Sequence, residues 1–335
     1  MRVSVVDAGS NTVRLVVADV EGGVPLPVHT VKWKLRLSEQ VGPDGALGDE
    51  AVEGLVKAVA AAEATARHWK AAGPLAFATA VVRAAPNRAE VLRRVEAGAG
   101  VRMCTLPGET EAALTFLAVR RWLGWNAGPL ALLDIGGGSL EVAFGRGRLP
   151  DFAASLPLGA NRLTQEFLAA QDPPAPGEVK TLRRRVRHEL RDVAARIRWE
   201  GPRTAAVSSR TFQQLARLCG AAPGRQGLFV PREMRRRDLG GAVRTLAGLP
   251  AAERAGLPGI SAPRAGQSLA GAVVGHTALK LMGLRRVVVS PWAIREGVLL
   301  RYIEDGAGWW TDVSAADNAP PTARPAALRI AASPV

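Results

Sequence analysis

The chain has almost no cysteine: Cys104 and Cys219 are the two thiols in 335 residues. They lie far apart and show neither CxxC nor Cys/His spacing, which excludes a disulfide scaffold, a redox pair and a zinc site, and they read as small buried hydrophobes. Histidine is as sparse, and His29, His68, His188 and His276 are too scattered to form a metal cluster. No apolar run approaches the roughly 18 uncharged residues a membrane span needs, and Met1 leads straight into VSVVDAGS rather than a signal peptide, so a cytoplasmic protein without membrane contact is expected. No GxxxxGK[ST] or GxGxxG stands between a strand and a helix, and no GxSxG surrounds a serine. Walker, Rossmann and serine-hydrolase readings therefore fail.

What the chain does have is positive charge. A formal net charge of +14 and a pI near 11.1 favour polyanionic, phosphate-rich partners through a long-range field. An Arg-rich composition can also load solvated helix faces without any partner, and the two readings weigh about evenly. The basic residues concentrate in LRRRVRHELRDVAARIR (182–198), which reads as a helix, and in MRRRDL (234–239). Length and a hydrophobic content of 47% suit two α/β domains.

Residues 3–20 read as a strand, a DAGSNT turn and a second strand, and AVEGLVKAVAAAEATARHWKAAG from 51 as a helix. PLAFATAVVRAAPN then reads as a buried strand leading to a helix start, and ETEAALTFLAVRRWLG as another helix. PLALLDIGGGSLEVAFGRG repeats the opening. Laid without gaps, VVDAGSNTVRLVVADV falls on LLDIGGGSLEVAFGRG, with Asp7 over Asp134, Gly9 over Gly136, Thr12 over Ser139 and Arg14 over Glu141. The pattern reads as an internal duplication that opens each half of the chain. The expected domains are 1–125 and 126–291, with a last helix at about 292–305 packing back on the first and a disordered Pro/Ala-rich tail over 306–335.

If Gly136–Ser139 form a four-residue turn, Asp134 and Glu141 face each other across the hairpin. Two such carboxylates repel, and a hard cation such as Mg²⁺, or Mn²⁺, would remove the conflict; a solvated edge pair is the rival reading. Gly136, Gly137 and Gly138 let the backbone approach an anion, and Ser139 adds a hydroxyl. Gly9, Ser10, Asn11 and Thr12 are the equivalents in the first turn, where Asp7 faces Arg14 and is expected to orient metal-bound water. Phosphoanhydride hydrolysis also needs a base and a cation over the phosphate oxygens. Glu109, Glu111, Arg36 and Arg83 are candidates, and two glutamates two residues apart on a helix cannot both enter one site.

VVDAGSNTVRL, KLRLSE, FATAVVRAAPN, GETEAALTFLAV, LLDIGGGSLEVAFG, SLPLGANRLT, SSRTFQQLARLCG and SPWAIREGVLL occur in the order and spacing of one family. The chain resembles the exopolyphosphatase/guanosine-pentaphosphate phosphatases of the actin-like ATPase superfamily, in their short actinobacterial-type form, over residues 1–303. The resemblance implies two actin-like (ribonuclease H-like) α/β domains with mixed sheets flanking an interdomain cleft. It implies Glu111 as the base that activates water and Arg83 on substrate phosphate. It likewise implies Asp134 and Glu141 at Mg²⁺, both loops cradling phosphates, and Arg36 near the cleft. Inorganic polyphosphate is the implied substrate and a homodimer the implied assembly, with no specific nucleic acid partner.

Guanosine penta/tetraphosphate, an alarmone of the stringent response, is the alternative ligand. A non-catalytic polyphosphate or alarmone sensor and a kinase of the same superfamily are further rivals. The chain departs from the resembled pattern at three places: Ala84 stands for an Asp, Val207 for a Gly, and Gly266 for the Asp of RAD. Val207 is expected beside a nucleotide-base pocket, where a β-branched side chain argues against nucleotide and for inorganic polyphosphate. Ala84 and Gly266 remove carboxylates that could support metal or substrate.

Overall fold

The computed structural model describes residues 1–316, which divide into two compact units, Met1–Leu114 with the chain from Ile294, and Thr115–Ala293. The first unit opens with β1 (Arg2–Ala8), β2 (Thr12–Glu21) and β3 (Val24–Lys34), followed by α1 (Asp49–His68), β4 (Ala72–Ala78), α2 (Ala80–Ala84), α3 (Arg88–Ala99) and β5 (Met103–Thr105). Helix α4 (Gly108–Leu123) follows, and the division between the units falls inside it. The sheet runs β3-β2-β1-β4-β5, antiparallel through the first three strands and parallel from β1 onward.

Strand periodicity gives this sheet two buried faces. Val6, Ala8, Val13, Leu15 and Val17 point to one, where Leu55, Val59 and Ala62 of α1 and Val91 and Val95 of α3 cover them. Val3, Val5, Val16 and Ala18 point to the other. Strands covered on both faces by helices read as nearly continuous apolar runs, which is why VSVV and LVVA alternate so little.

The second unit repeats the plan with β6 (Leu130–Ile135), β7 (Leu140–Gly145), β8 (Phe152–Leu156), α5 (Ala160–Phe167), α6 (Pro176–Glu200), β9 (Thr204–Ser208) and α7 (Ser209–Leu218). It closes with β10 (Glu233–Arg235), α8 (Arg236–Ala247), α9 (Ala251–Arg254), α10 (Ala265–Leu281) and β11 (Arg286–Val289). Its strand order, β8-β7-β6-β9-β11-β10, matches the first sheet strand for strand, with β10 added antiparallel at the edge. Helix α10 is apolar nearly all round, as an element packed among α5, α6, α7 and α8 must be. Helix α6 carries the basic run; Val179, Leu182, Val186, Leu190, Ala194 and Ile197 form its buried stripe, and the Glu178 carboxylate accepts from the Ala175 N–H at 2.7 Å to cap its start.

The chain returns to the first unit with α11 (Ile294–Asp305) and α12 (Ala307–Ala316), which complete its second face through Val298, Leu299 and Val313. Gly297 makes this possible: a Cβ there would overlap the Leu114 backbone. The tail expectation is corrected over its first residues. Trp309, Trp310 and Val313 present one apolar side to the sheet, enough to hold a helix where composition suggested none. The rest of that expectation, 317–335, lies outside the described residues. Among the described residues no helix is long and apolar enough to cross a membrane.

Candidate active site

Both glycine hairpins close with the same backbone bond. The Gly9 N–H donates to Thr12 O at 3.0 Å, and the Gly136 N–H to Ser139 O at 2.8 Å. The register that follows pairs Asp7 with Arg14 and Asp134 with Glu141, as turn length and strand period require. Each loop is buttressed from the segment after its third strand. Asn11 O accepts from the Leu35 and Arg36 amides, and Ser10 O from Ser38. Gly137 O accepts from the Asn161 and Arg162 amides, and Gly136 O from Ala160. The second buttress demands Gly159, since a Cβ there would overlap the Gly137–Gly138 backbone.

Outward of these contacts, the amides of Ser10, Asn11, Gly137 and Gly138 donate to no backbone carbonyl among the described residues. Each loop also carries a buried side-chain amide with no partner, Asn11 Nδ2 in the first and Asn161 Nδ2 beside the second. Unpartnered donors gathered around a glycine turn suit an anion, whose oxygens would satisfy them.

The two acids of the second hairpin sit deep. Glu141 is 4% exposed, and its Oε1 accepts from Ser155 Oγ at 2.9 Å. Asp134 Oδ2 accepts a very short bond from Ser208 Oγ at the end of β9. Serine hydroxyls hold both carboxylates, and hard oxygen donors of like charge stand opposite one another across the hairpin. That donor set fits Mg²⁺ or Mn²⁺ better than a thiophilic metal. Among the described residues no three His, Cys, Asp or Glu side chains form a metal cluster, so an ion here would take two protein carboxylates and fill its shell from water and phosphate. Asp7 differs: its Oδ2 accepts from Arg295 Nη1 of α11 at 2.7 Å, and both side chains are mostly buried.

The glutamates of α4 diverge as helical spacing dictates. Glu109 is exposed and Glu111 is 6% exposed. A very short ion pair joins Glu111 Oε1 to Arg83 Nη1 of α2, and the same nitrogen donates to Leu106 O at 2.7 Å. A buried carboxylate at a helix start and a guanidinium pinned beside it are thus brought together inside the first unit. Arg36 is exposed, with left-handed φ 54°, and sits 3.5 Å from Glu39 in a loose surface pair. Its amide, bonded to Asn11 O, supports the first loop directly.

A sequence model of the Ppx/GppA phosphatase family matches residues 16–305. The chain belongs to this family. It is 72% identical to an uncharacterised protein of Streptomyces coelicolor over 99% of both chains, and 42% identical to exopolyphosphatase 1 of Mycobacterium tuberculosis over 92% of this chain and 90% of that one. The crystal structure of the Aquifex aeolicus Ppx/GppA family member covers 91% of this chain and 98% of its own, with TM-score 0.79 and 27% identity. The two sheets are accordingly those of the actin-like fold. Ppx/GppA phosphatases are metal-dependent as a class.

Within this Ppx/GppA chain, one departure is misjudged from sequence. Val207 lies inside β9, wholly buried in the core of the second unit, and cannot line a base pocket. The argument it carried against a nucleotide is withdrawn. Ala84 is exposed at the end of α2, and Gly266 opens α10 beside open space, where a carboxylate could stand without strain. Sequence reasoning missed Arg295, Ser208, Ser155 and Asn161. All four lie in the stretches SPWAIREGVLL, SSRTFQQLARLCG and SLPLGANRLT, but only spatial proximity gives them a role.

Proposed function

We propose that the chain is an exopolyphosphatase, hydrolysing the terminal phosphoanhydride of inorganic polyphosphate. The observation that carries this reading is the buried Glu111 locked against Arg83, a base and a phosphate-directed cation in one small arrangement, in a chain so like a named exopolyphosphatase. Glu111 takes one proton from water as the water oxygen bonds to the terminal phosphorus. The bond from that phosphorus to the bridging oxygen breaks, the bridging oxygen leaves on the shortened chain, and orthophosphate departs. Arg83 orients Glu111 and meets phosphate oxygens. The amides of 9–12 and 136–139 supply preorganised donors for charge that grows in the transition state. Asp134 and Glu141 would hold Mg²⁺ or Mn²⁺, which supplies Lewis acidity toward phosphate oxygen when bound. Asp7, fixed by Arg295, orients water. Mg²⁺ as the physiological ion, a cytoplasmic setting and a homodimer belong to the same proposal. Guanosine pentaphosphate is the less favoured ligand, because the named relatives that span most of the chain are exopolyphosphatases.

The test is phosphate release from short-chain polyphosphate, comparing wild type with Glu111→Gln. Loss of turnover by on the order of 10²–10⁴-fold with binding retained is expected. A wild type that binds polyphosphate without releasing phosphate would make the protein a sensor.

A further inference from the structure

Helix α6 carries more positive charge than its packing requires. While Val179, Leu182 and Val186 face the core, Lys180, Arg183, Arg184 and Arg187 occupy an adjoining stripe at i, i+3, i+4 and i+7. Two concavities, of about 510 and 550 Å³, open along this stripe and share Arg183 and Arg187. The second extends to Arg244 of α8 and to His276 and Lys280 of α10. No carboxylate lines either one.

The cations of this groove lack the carboxylate partners that many surface arginines have. Arg67, Arg93, Arg162 and Arg196 each pair with a glutamate on their own helix. Among the described residues, Arg183, Arg187, Arg244 and Lys280 have no acidic partner within ion-pair distance. Unpaired cations converging on a concave surface focus a positive potential there. The half-buried His276 reports that field: burial first, then the charges of Arg183, Lys280, Arg236 and Arg244, hold its imidazole below the usual histidine range. Gly240 lets the imidazole lie against α8, since a Cβ there would come within 3.1 Å of Nε2.

We propose that this groove is a second binding surface for the inorganic polyphosphate chain, holding phosphates remote from the one cleaved. The proposal rests on the exopolyphosphatase reading for the identity of the ligand. Two joined concavities suit a linear polyanion better than a single phosphate. Apart from His276 no aromatic ring lines them, so the stacking platforms that nucleic acid strands use are missing. The groove lies within reach of the second loop along one helix. Gly271 of α10 abuts Ala160, whose amide bonds Gly136 O, and Lys280 stands about 14 Å farther along that helix at 1.5 Å per residue.

The test replaces three exposed cations together, Arg187→Ser, Arg244→Ser and Lys280→Ser. A charge-matched control carries Arg67→Ser, Arg93→Ser and Arg196→Ser. For long-chain polyphosphate the groove variant should raise KM about tenfold with kcat unchanged, while tripolyphosphate kinetics stay as in wild type. The slope of log affinity against log salt should flatten by up to about three, one for each lost phosphate contact. An unchanged KM for long chains, an equal rise in the control, or an equal rise for tripolyphosphate would overturn the proposal. If the wild type hydrolyses no polyphosphate, the exopolyphosphatase reading fails on its own. Equilibrium binding of long-chain polyphosphate to wild type and groove variant then still decides the groove. Loss of affinity for a single-stranded oligonucleotide with polyphosphate affinity intact would reassign the surface to nucleic acid.

Discussion

The two glycine hairpins share a backbone and differ in charge. Both close with a glycine amide on the carbonyl three residues later, both place an acid two residues before that glycine, and both are buttressed by amides from the segment beyond the third strand. In the first, the acid stands opposite Arg14 and accepts from Arg295; in the second, it stands opposite Glu141, and both acids are held by serine hydroxyls. One turn thus yields two electrostatic environments. In the first hairpin a guanidinium from α11 meets the acid, whereas the second sets two carboxylates face to face, an arrangement a divalent cation would stabilise. Duplicating a loop therefore need not duplicate its role, because cross-strand and third-strand neighbours decide what the carboxylate can do.

The contrast breaks most severely at Arg295. Arg295→Ala should leave Asp7 mostly buried without its guanidinium and cost about 3 kcal/mol of stability, measured by urea denaturation. The double variant with Asp7→Asn should recover much of that loss. A cost confined to the single variant's activity would mean the pair is not structural. In the second hairpin Glu141→Gln should weaken divalent-cation binding about a hundredfold by calorimetry while leaving stability unchanged or improved, since one of two repelling charges is gone. If cation affinity survives, the negative pair is not the metal site. Ser208→Ala is milder, costing about 1 kcal/mol and lowering metal affinity by about tenfold or less through a freer Asp134.

Smallest is a pH effect in the second unit. His276 binds its proton less readily when folded than when unfolded, so its contribution to stability is present above its ordinary value of 6.5 and is lost as pH falls through and below that value. His276→Gln should flatten the acid side of the stability profile. Long-chain polyphosphate in the groove should move the imidazole resonance of the wild type toward the protonated form.

Several of these features were legible in the residues. A four-residue turn between strands of period two leaves one register, so the pairings of Asp7 with Arg14 and Asp134 with Glu141 followed without coordinates. The divergence of Glu109 and Glu111 followed from helical pitch. The choice of Glu111 did not, and came from the resemblance alone. Val207 was misread because strand periodicity does not say which face meets a ligand. The helix over Ala307–Ala316 was missed because the Pro/Ala-rich composition beyond it outweighed Trp309, Trp310 and Val313.

The sequence by itself determined the two-fold repeat, the hairpin that opens each half, the register of each hairpin and the excess of positive charge, because these depend on local periodicity, turn chemistry and composition. Tertiary structure alone decided that Arg295 would reach Asp7 across 288 residues, that Ser208 would reach Asp134 across 74, and that cations of α6, α8 and α10 would converge on one groove. The physical reason is that a side chain's charge environment is set by distances in space, and packing brings together groups whose separation along the chain carries no record of their meeting.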